Sequence, residues 1–237
     1  CKARIVSGEI APAMSFDHPL AERERQQGYA LLCACRAASG EIVIETLEAQ
    51  GPREIPEQEI AVRVRTVQHV GADTLVLHVQ TPRTARLRFL AGQNATLHVV
   101  HAECGPRATY PIASCPCDDR DLRFHVGRSA ADSLGSMLFS GAIGPGQTLL
   151  LRGPAGDFVL DGACNPLAFF ACDTGIAPVR SLIEHAMAVD AYPSITLDWL
   201  ALRPDGHYLS GHFRAWAEAM DGFRYAAHRA LSAHEGA

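Results

Sequence analysis

The stretch "LAFFACDTGIAPVRSLIEH" (Leu167–His185) decides the fold of the C-terminal part of the chain. It opens with a continuous apolar run, "LAFFA", which is typical of a parallel strand buried inside a sheet. After Gly175 the apolar residues recur with the period of a helix, and Pro178 falls in the first turn, where a missing N–H is tolerated. The apolar helical positions are Val179, Leu182, Ile183, Ala186 and Met187. The stretch therefore predicts a strand, a glycine turn and a helix.

The turn itself is compatible with two unrelated functions. Asp173-Thr174-Gly175 is the tripeptide of aspartic proteases, in which two carboxylates share a proton. That chemistry needs a second such tripeptide, which the chain lacks. A turn between a parallel strand and a helix is also where open α/β sheets bind phosphates, because the helix N-terminus presents free N–H groups. We favour the phosphate interpretation, with a purely structural turn as the alternative.

The sequence after this helix continues the alternation of strand and helix. "ITLDWLAL" (Ile195–Leu202) predicts a second strand and "FRYAAHRAL" (Phe223–Leu231) a third. Between them, Phe213, Trp216, Ala217 and Met220 form one face of a second helix. This order predicts a doubly wound parallel α/β sheet over residues 159–237.

The preceding residues, 59–158, are expected to be all β. "TLVLHVQ" (Thr74–Gln80) and "LRFHVGR" (Leu122–Arg128) place apolar side chains at alternate positions, and glycine and proline separate such runs. This pattern predicts a sandwich or a small barrel. Residues 48–58 are charged and contain proline and glycine, so they are predicted to link this part to an N-terminal segment, residues 1–47.

Composition excludes several classes of function. The 237 residues carry a net charge of −5 with no run of Lys and Arg, so no nucleic-acid partner is expected. No apolar stretch is long enough for a membrane span and no signal peptide is present, so we expect a cytoplasmic protein. The eight cysteines are interpreted as metal ligands or buried thiols rather than disulfides. "CPC" (Cys115–Cys117) has no zinc-site partners at the usual spacing, so no metal is predicted there.

Five motifs in one order connect the chain to a known family. They are "FLAGQ" (Phe89–Gln93), "RATYPIAS" (Arg107–Ser114), "GSMLF" (Gly135–Phe139), "GPAGDF" (Gly153–Phe158) and "CDTGIAP" (Cys172–Pro178). In this order the chain resembles the ferredoxin–NADP reductase superfamily, in the form fused to a plant-type ferredoxin domain. The resemblance implies an NAD(P)H-dependent iron–sulfur flavoprotein reductase. Its fold would be part of a β-grasp ferredoxin, a six-stranded antiparallel barrel that binds FAD, and a parallel sheet that binds the nucleotide.

The resemblance assigns the flavin site to two of these motifs. Tyr110 occupies the position of the tyrosine that packs on the isoalloxazine, and Pro111, Ile112, Ala113 and Ser114 match the strand that lines it. Pro111 replaces a serine, so that hydroxyl contact is lost. Arg107 is expected at the FAD phosphate, although Ala108 holds the usual arginine position. Gly135 and Ser136 are the expected backbone donors to the pyrophosphate.

The nucleotide site follows from the "CDTGIAP" motif. The family has Gly-Gly-Thr-Gly where this chain has Cys172-Asp173-Thr174-Gly175, so Thr174 and Gly175 are the residues expected at NAD(P)H. Asp173 introduces a negative charge that should weaken binding unless it points away or caps the helix. Arg203, after the second strand, is expected at the adenosine ribose or its phosphate. NADH is favoured over NADPH because no second basic residue stands beside it.

The N-terminal segment resembles the second half of a plant-type ferredoxin, whose [2Fe–2S] cluster has four cysteine ligands. Cys1 and Cys33 match the third and fourth ligands, and Cys35 is a competitor for the latter. The first two would precede residue 1, so we interpret the chain as truncated at both ends, with the cluster expected only in a full-length parent.

The resemblance implies electron transfer from NAD(P)H through FAD to a [2Fe–2S] cluster and on to a partner protein such as an oxygenase. No side chain is predicted to act as a covalent or acid–base catalyst. Two alternatives stay open. One is a flavin reductase or electron-transfer subunit without a cluster, and the other is a regulatory module that keeps the fold but binds no cofactor.

Overall fold

The computed structural model describes residues 2–13, 25–32, 35–45, 51–100, 105–163 and 165–230. The chain divides into two compact units, Cys1–Gln50 and Gly51–Ala237. This boundary falls within the predicted linker at residues 48–58. The predicted division at residue 158 lies inside the second unit and stays a prediction.

The described residues of the N-terminal unit include short antiparallel strands in two small sheets, ordered β3–β1–β5 and β2–β4. The strands are β1 (Lys2–Ser7), β2 (Ile10–Pro12), β3 (Tyr29–Leu31), β4 (Cys35–Ala37) and β5 (Val43–Glu45). Ala3 and Ala30 pair across β1 and β3, and both are buried. The predicted cluster ligands Cys1 and Cys33 lie outside the described residues, so the ferredoxin assignment stays a prediction.

Six antiparallel strands form the first part of the second unit. They are β6 (Gln58–His69), β7 (Thr74–Gln80), β8 (Asn94–Val99), β9 (Arg107–Pro111), β10 (Asp121–Gly127) and β11 (Thr148–Ala155). Their order is β10–β7–β6–β11–β8–β9, and a single bridge between Ile112 and Phe124 brings the two outermost strands together. The sheet is thus a nearly closed barrel, which confirms the predicted fold.

Alternation of apolar and polar residues explains why this sheet curls around a core. In β6, Ile60, Val62 and Val64 are buried, while their neighbours Glu59 and Arg63 are exposed. Successive side chains of a strand point to opposite faces, so one face of such a strand packs on the core and the other faces solvent. The helix α1 (Ser133–Phe139) packs against this core through Leu134 and Leu138.

Three parallel strands and two helices form the second part of this unit, as the sequence predicts. They are β12 (Leu167–Cys172), α2 (Ile176–Val189), β13 (Ile195–Ala201), α3 (Ser210–Ala219) and β14 (Phe223–Arg229). The strands lie side by side in chain order. Their carboxyl ends therefore share one edge, next to the turn Asp173–Gly175 that joins β12 to α2.

One face of the parallel sheet carries the core. Trp199 of β13 and Phe213 of α3 are fully buried there, and α2 contributes Leu182 and Ile183 to the same cluster. The expectation that "LAFFA" is buried throughout was wrong: Phe169 is 8% exposed but Phe170 is 80% exposed. Right-handed crossovers between strands added in one direction place both helices on the same face, so alternate residues of β12 remain in solvent.

Two findings concern membrane and metal chemistry. Within the described ranges, no helix is both long and apolar enough to cross a bilayer. The same residues contain no group of three or more His, Cys, Asp and Glu side chains that could bind a metal ion.

The interpretation of the cysteines as metal ligands or thiols was wrong for Cys115 and Cys117, which form a disulfide. The two cysteines lie two residues apart in a turn. Their Cα atoms are 5.1 Å apart, which is within the range for an S–S bond.

Candidate functional site

The nucleotide-binding residues predicted from sequence lie where the barrel meets the carboxyl edge of the parallel sheet. Gly127 ends β10 at this point. A Cβ at Gly127 would lie 3.4 Å from Thr174 Oγ1 and 3.9 Å from an Nη atom of Arg203. The structure therefore brings Thr174 and Arg203 together at the end of a barrel strand. Among the described residues, chain neighbours apart, no atom lies within 4 Å of a Cβ built on Gly175, so a ligand can approach the backbone of the turn.

Asp173, which stands where the family that the chain resembles has glycine, has a left-handed backbone with φ of 43°. Its carboxylate accepts hydrogen bonds from the backbone N–H of Leu202 at 2.9 Å and of Arg203 at 3.4 Å. The indole of Trp199 donates to its backbone oxygen at 3.0 Å. The carboxylate is thus directed at the loop after β13, and its charge is partly compensated by two N–H groups.

The predicted flavin tyrosine is buried in the barrel core. Tyr110 is 7% exposed, and its ring centroid lies 6.4 Å from that of Phe124. Its hydroxyl donates a 2.6 Å hydrogen bond to Asp132 Oδ2. Burial, and then the hydrogen bond and charge of Asp132, raise the pKa of the Tyr110 phenol well above its usual value. The phenol is therefore a permanent donor, held in place by one carboxylate.

The same carboxylate caps helix α1. Asp132 Oδ1 accepts the N–H of Gly135 at 2.7 Å, and the backbone oxygen of Asp132 accepts both the N–H and the hydroxyl of Ser136 at 2.9 Å. Tyr110, Gly135 and Ser136 are thus brought together around Asp132. Sequence reasoning missed Asp132, although an acidic residue directly before an apolar helical run is a usual N-cap signal.

The remaining residues of "PIAS" form the seam that closes the barrel. Ile112 and Ala113 are fully buried, and Pro111 is half-buried. The buried Ser114 accepts the N–H of Arg123 at its hydroxyl, at 3.3 Å, and the hydroxyl of Ser181 from α2 at its backbone oxygen, at 2.7 Å. These residues connect the barrel wall to the first helix of the parallel sheet.

Arg107 lies apart from this group. It is exposed at the start of β9, in a shallow groove on the outer barrel surface whose other residues are Thr96, His98, Thr109 and Arg152. Arg107 and Tyr110 are three residues apart on one strand, so their side chains point to opposite faces. The structure therefore does not bring Arg107 to the side of the strand where Tyr110 lies.

A polar junction that the sequence reasoning also missed joins barrel and sheet. The buried His125 of β10 lies with Nδ1 2.9 Å from the hydroxyl of Tyr208, and the two rings pack edge to face. Burial, and then the charges of Arg180 and Arg123, lower the pKa of His125 to about 3. Burial raises the pKa of the Tyr208 phenol, so both groups are neutral over the physiological range. The sequence offered one local sign of this junction. Arg180 and Glu184 are four residues apart, and residues at that spacing are neighbours on a helix.

The donors match the two cofactors of a flavin reductase to different degrees. The turn at Thr174–Gly175, with open space above it and Arg203 beside it, suits a dinucleotide phosphate. At α1, a phosphate could use the N–H of Gly135 only by taking over the place of the Asp132 carboxylate, and the N–H of Ser136 is already bonded to the Asp132 backbone oxygen. Asp132 and a pyrophosphate are both acceptors for the same donors, so the site fits an anionic group in chemistry but carries one already.

The chain has a six-stranded antiparallel barrel followed by a parallel sheet whose first turn contacts the barrel, a fold that it shares with solved reductases of the ferredoxin–NADP reductase type. No family model matches the chain. Its relatives include proteins named as reductases or as reductase components. The chain is 27% identical over 238 residues to the CDP-6-deoxy-L-threo-D-glycero-4-hexulose-3-dehydrase reductase of Yersinia pseudotuberculosis, which covers 92% of this chain and 70% of the relative. It is 28% identical over 233 residues to terephthalate 1,2-dioxygenase reductase component 2 of Comamonas sp., covering 96% and 66%.

Solved structures share the fold. The chain matches the Amycolatopsis cytochrome P450 reductase GcoB with a TM-score of 0.65 and 24% identity, over 100% of this chain and 72% of that one. A ferredoxin NADP+ reductase from Neisseria gonorrhoeae with bound FAD and NADP gives a TM-score of 0.61 at 18% identity, over 71% and 67%. Phthalate dioxygenase reductase, described as a modular structure for electron transfer from pyridine nucleotides to [2Fe–2S], gives 0.62 at 20%, over 76% and 54%.

Proposed function

We propose that this chain is the flavin- and nucleotide-binding part of an NAD(P)H-dependent reductase that supplies electrons to a partner protein such as an oxygenase. The observation that carries the proposal is the position of the turn at Thr174–Gly175 directly against the end of barrel strand β10. In a two-cofactor reductase, the nicotinamide must lie next to the flavin, so the two binding sites must meet. Relatives named as dioxygenase and demethylase reductase components support the type of partner.

Each predicted flavin- or nucleotide-binding residue other than Arg107 has a definite task in this proposal. Thr174 and Gly175 would hold the nicotinamide nucleotide, with Arg203 at its ribose or phosphate. Tyr110 and the strand Pro111–Ser114 would hold FAD, with Gly135 and Ser136 at its pyrophosphate. A bound flavin supplies the conversion between two-electron donors and one-electron acceptors. The side chains orient the two cofactors and exclude water, and none of them forms a covalent intermediate.

The iron–sulfur cluster belongs to the proposal for a full-length protein. Cys1 and Cys33 remain its proposed ligands, together with two cysteines outside this chain. A protein of this kind works beside soluble NADH, so we propose a cytoplasmic location. NADH is the proposed donor because no second basic residue stands beside Arg203 in the sequence.

An absorbance spectrum of the purified chain, recorded with FAD before and after anaerobic NADH, tests the proposal. Flavin bands that bleach with NADH support both binding sites at once. Flavin that binds but does not bleach with NADH or NADPH places the fault in the nucleotide site alone.

A second candidate, a module that keeps the fold without cofactors, is favoured by one observation: Asp132 already occupies the donors predicted for the pyrophosphate. A folded protein that takes up no flavin at saturating FAD would decide for this candidate and against the reductase.

A further inference from the structure

The disulfide between Cys115 and Cys117 joins one buried and one exposed sulfur-bearing residue. Cys115 is 3% exposed and lies directly after Ser114, in the turn between β9 and β10. The N–H of Cys117 donates to Cys115 Sγ at 3.2 Å. A thiol from solvent can therefore reach the bond only from the Cys117 side, and a thiolate formed on Cys115 has a hydrogen-bond donor in place.

This disulfide-bearing turn is bonded to helix α2. The N–H of Cys115 donates to Glu184 Oε2 at 3.2 Å, and Glu184 Oε1 accepts from Arg180 at 2.8 Å. One residue earlier, the backbone oxygen of Ser114 accepts the hydroxyl of Ser181. Because α2 follows the turn Asp173–Gly175 without a break, these contacts also fix where that turn lies relative to the barrel.

We propose that Cys115 and Cys117 are a reversible thiol–disulfide couple that exchanges with soluble dithiols and sets how firmly α2 is held against the barrel. A dithiol is the reaction partner because its second thiol can resolve the mixed disulfide within one molecule. The inference concerns two side chains and one helix, and it does not depend on the proposed function.

The exchange balances in two steps. A thiolate of the dithiol attacks Cys117 Sγ, the bond between Cys115 and Cys117 breaks, and Cys115 leaves as a thiolate that accepts the N–H of Cys117. The second thiol of the reagent, as its thiolate, then attacks the reagent's other sulfur atom in the mixed disulfide. This step releases the Cys117 thiolate. Both protein thiolates take up the protons given up by the dithiol, so the protein gains two electrons and two protons while the reagent becomes a disulfide.

Opening the bond changes the contact with α2 through the backbone. The covalent ring restricts the conformations of Cys115 and Cys117 and so directs the Cys115 N–H at Glu184. Without the ring this short turn gains conformations in which the N–H points elsewhere, and Glu184 keeps only its bond from Arg180. Local opening of the turn and of the first part of α2 then becomes more frequent, with hydrogen exchange faster by about tenfold.

The test combines alkylation with hydrogen exchange on the wild-type chain. Native protein oxidised in air is treated with iodoacetamide before and after dithiothreitol, and its peptides are weighed. The peptide with Cys115 and Cys117 should take up label only after reduction, while the exposed free thiol of Cys172 should take it up in both cases. Exchange at Ser114–Cys117 and early α2 should be faster in the reduced sample.

Two variants provide the matched comparison. Cys117→Ser should exchange rapidly in these segments with or without dithiothreitol, while Cys172→Ser should keep the redox-dependent difference. Full labelling of Cys115 and Cys117 before reduction would overturn the couple. Equal exchange of oxidised and reduced wild-type protein would overturn its effect on α2, and that comparison holds even if Cys117→Ser does not fold.

Discussion

The hydroxyl of Tyr110 and the carboxylate of Asp132 form a 2.6 Å hydrogen bond at the N-terminus of α1. This bond joins a barrel strand to the helix that follows β10, and it uses the same carboxylate that caps the helix through Gly135. Asp132 therefore has a structural task and also holds the place proposed for a phosphate. The two tasks can be separated by mutation.

Asp132→Ala is expected to destabilise the protein by about 2 kcal/mol, because the helix loses its cap and the buried Tyr110 hydroxyl loses its acceptor. Asp132→Ser keeps a capping oxygen and should lose about half as much. Tyr110→Phe removes the phenol bond while leaving the cap. Urea unfolding followed by far-ultraviolet circular dichroism measures all three. Equal stability of Asp132→Ala and wild type would show that the cap contributes nothing.

Asp132→Asn should bind FAD about fivefold more tightly than wild type, because a negative charge is removed beside the donors proposed for the pyrophosphate. Calorimetric titration with FAD measures the change. Asp221→Asn, an exposed carboxylate before β14, is the control for the same change in net charge. Weaker FAD binding by Asp132→Asn than by Asp221→Asn would mean that the carboxylate supports the flavin site.

Asp173→Ala should destabilise the parallel sheet by about 2 kcal/mol. The variant loses the hydrogen bonds to the N–H groups of Leu202 and Arg203, and alanine is disfavoured at the positive φ of this residue. Asp173→Asn keeps an acceptor oxygen and tolerates that backbone, so it should lose less than about 1 kcal/mol. Tryptophan fluorescence, to which Trp199 beside Asp173 and Trp216 both contribute, reports the transition. An asparagine variant as unstable as the alanine variant would contradict this account.

The buried His125 should make stability depend on pH on the acid side. Its pKa is lowered to about 3 in the folded chain from an ordinary 6.5, so the unfolded chain binds more protons between these values. The stability is therefore fully present above about pH 6.5 and decreases as pH falls towards 3, by at most about 1.4 kcal/mol per pH unit from this residue.

His125→Leu should flatten the dependence between pH 6.5 and 4.5, which urea midpoints at several pH values would reveal. His185 and His212 also have lowered pKa values through burial, so a part of the slope should remain. Tyr208→Phe is the control, since it removes the partner hydroxyl and keeps the titrating ring. An unchanged slope in His125→Leu would assign the acid sensitivity to other residues.

Arg203→Ala should raise the KM for NADH about fivefold and leave kcat nearly unchanged. A contact to the adenosine half stabilises the bound nucleotide equally before hydride transfer and in its transition state. Steady-state reduction of an artificial acceptor measures both constants. Arg214→Ala, on the exposed side of α3, removes the same charge away from the turn. If the two variants behave alike, Arg203 has no specific contact with the nucleotide.

Local patterns in the sequence account for most of the fold. Alternation in β7 and β10 predicts barrel strands, and the helical period after Gly175 predicts α2, because both depend on which face of one element is buried. The exposure of Phe170 could not be predicted in this way, since it depends on the order of three strands and on which face the helices cover.

The site was less accessible to sequence reasoning for a similar reason. Thr174 and Arg203 were identified by a motif and by a position after a strand, and they do lie together beside Gly127. Asp132 pairs with Tyr110 across 22 residues and His125 with Tyr208 across 83, so only the folded chain reveals these two pairings. Arg107 was assigned by proximity in sequence, which does not determine the face of a strand.

The bridge between Ile112 and Phe124 affects where the barrel wall opens through thermal motion. Strand β10 pairs with β7 along its whole length, whereas it meets the β9 side of the sheet at one bridge. Thermal opening follows the path with the fewest bonds to break, so the wall should part along this line first. This line passes through Ile112 and Ala113. A flat ring inserted beside Pro111–Ser114 would therefore enter where the barrel wall opens most easily.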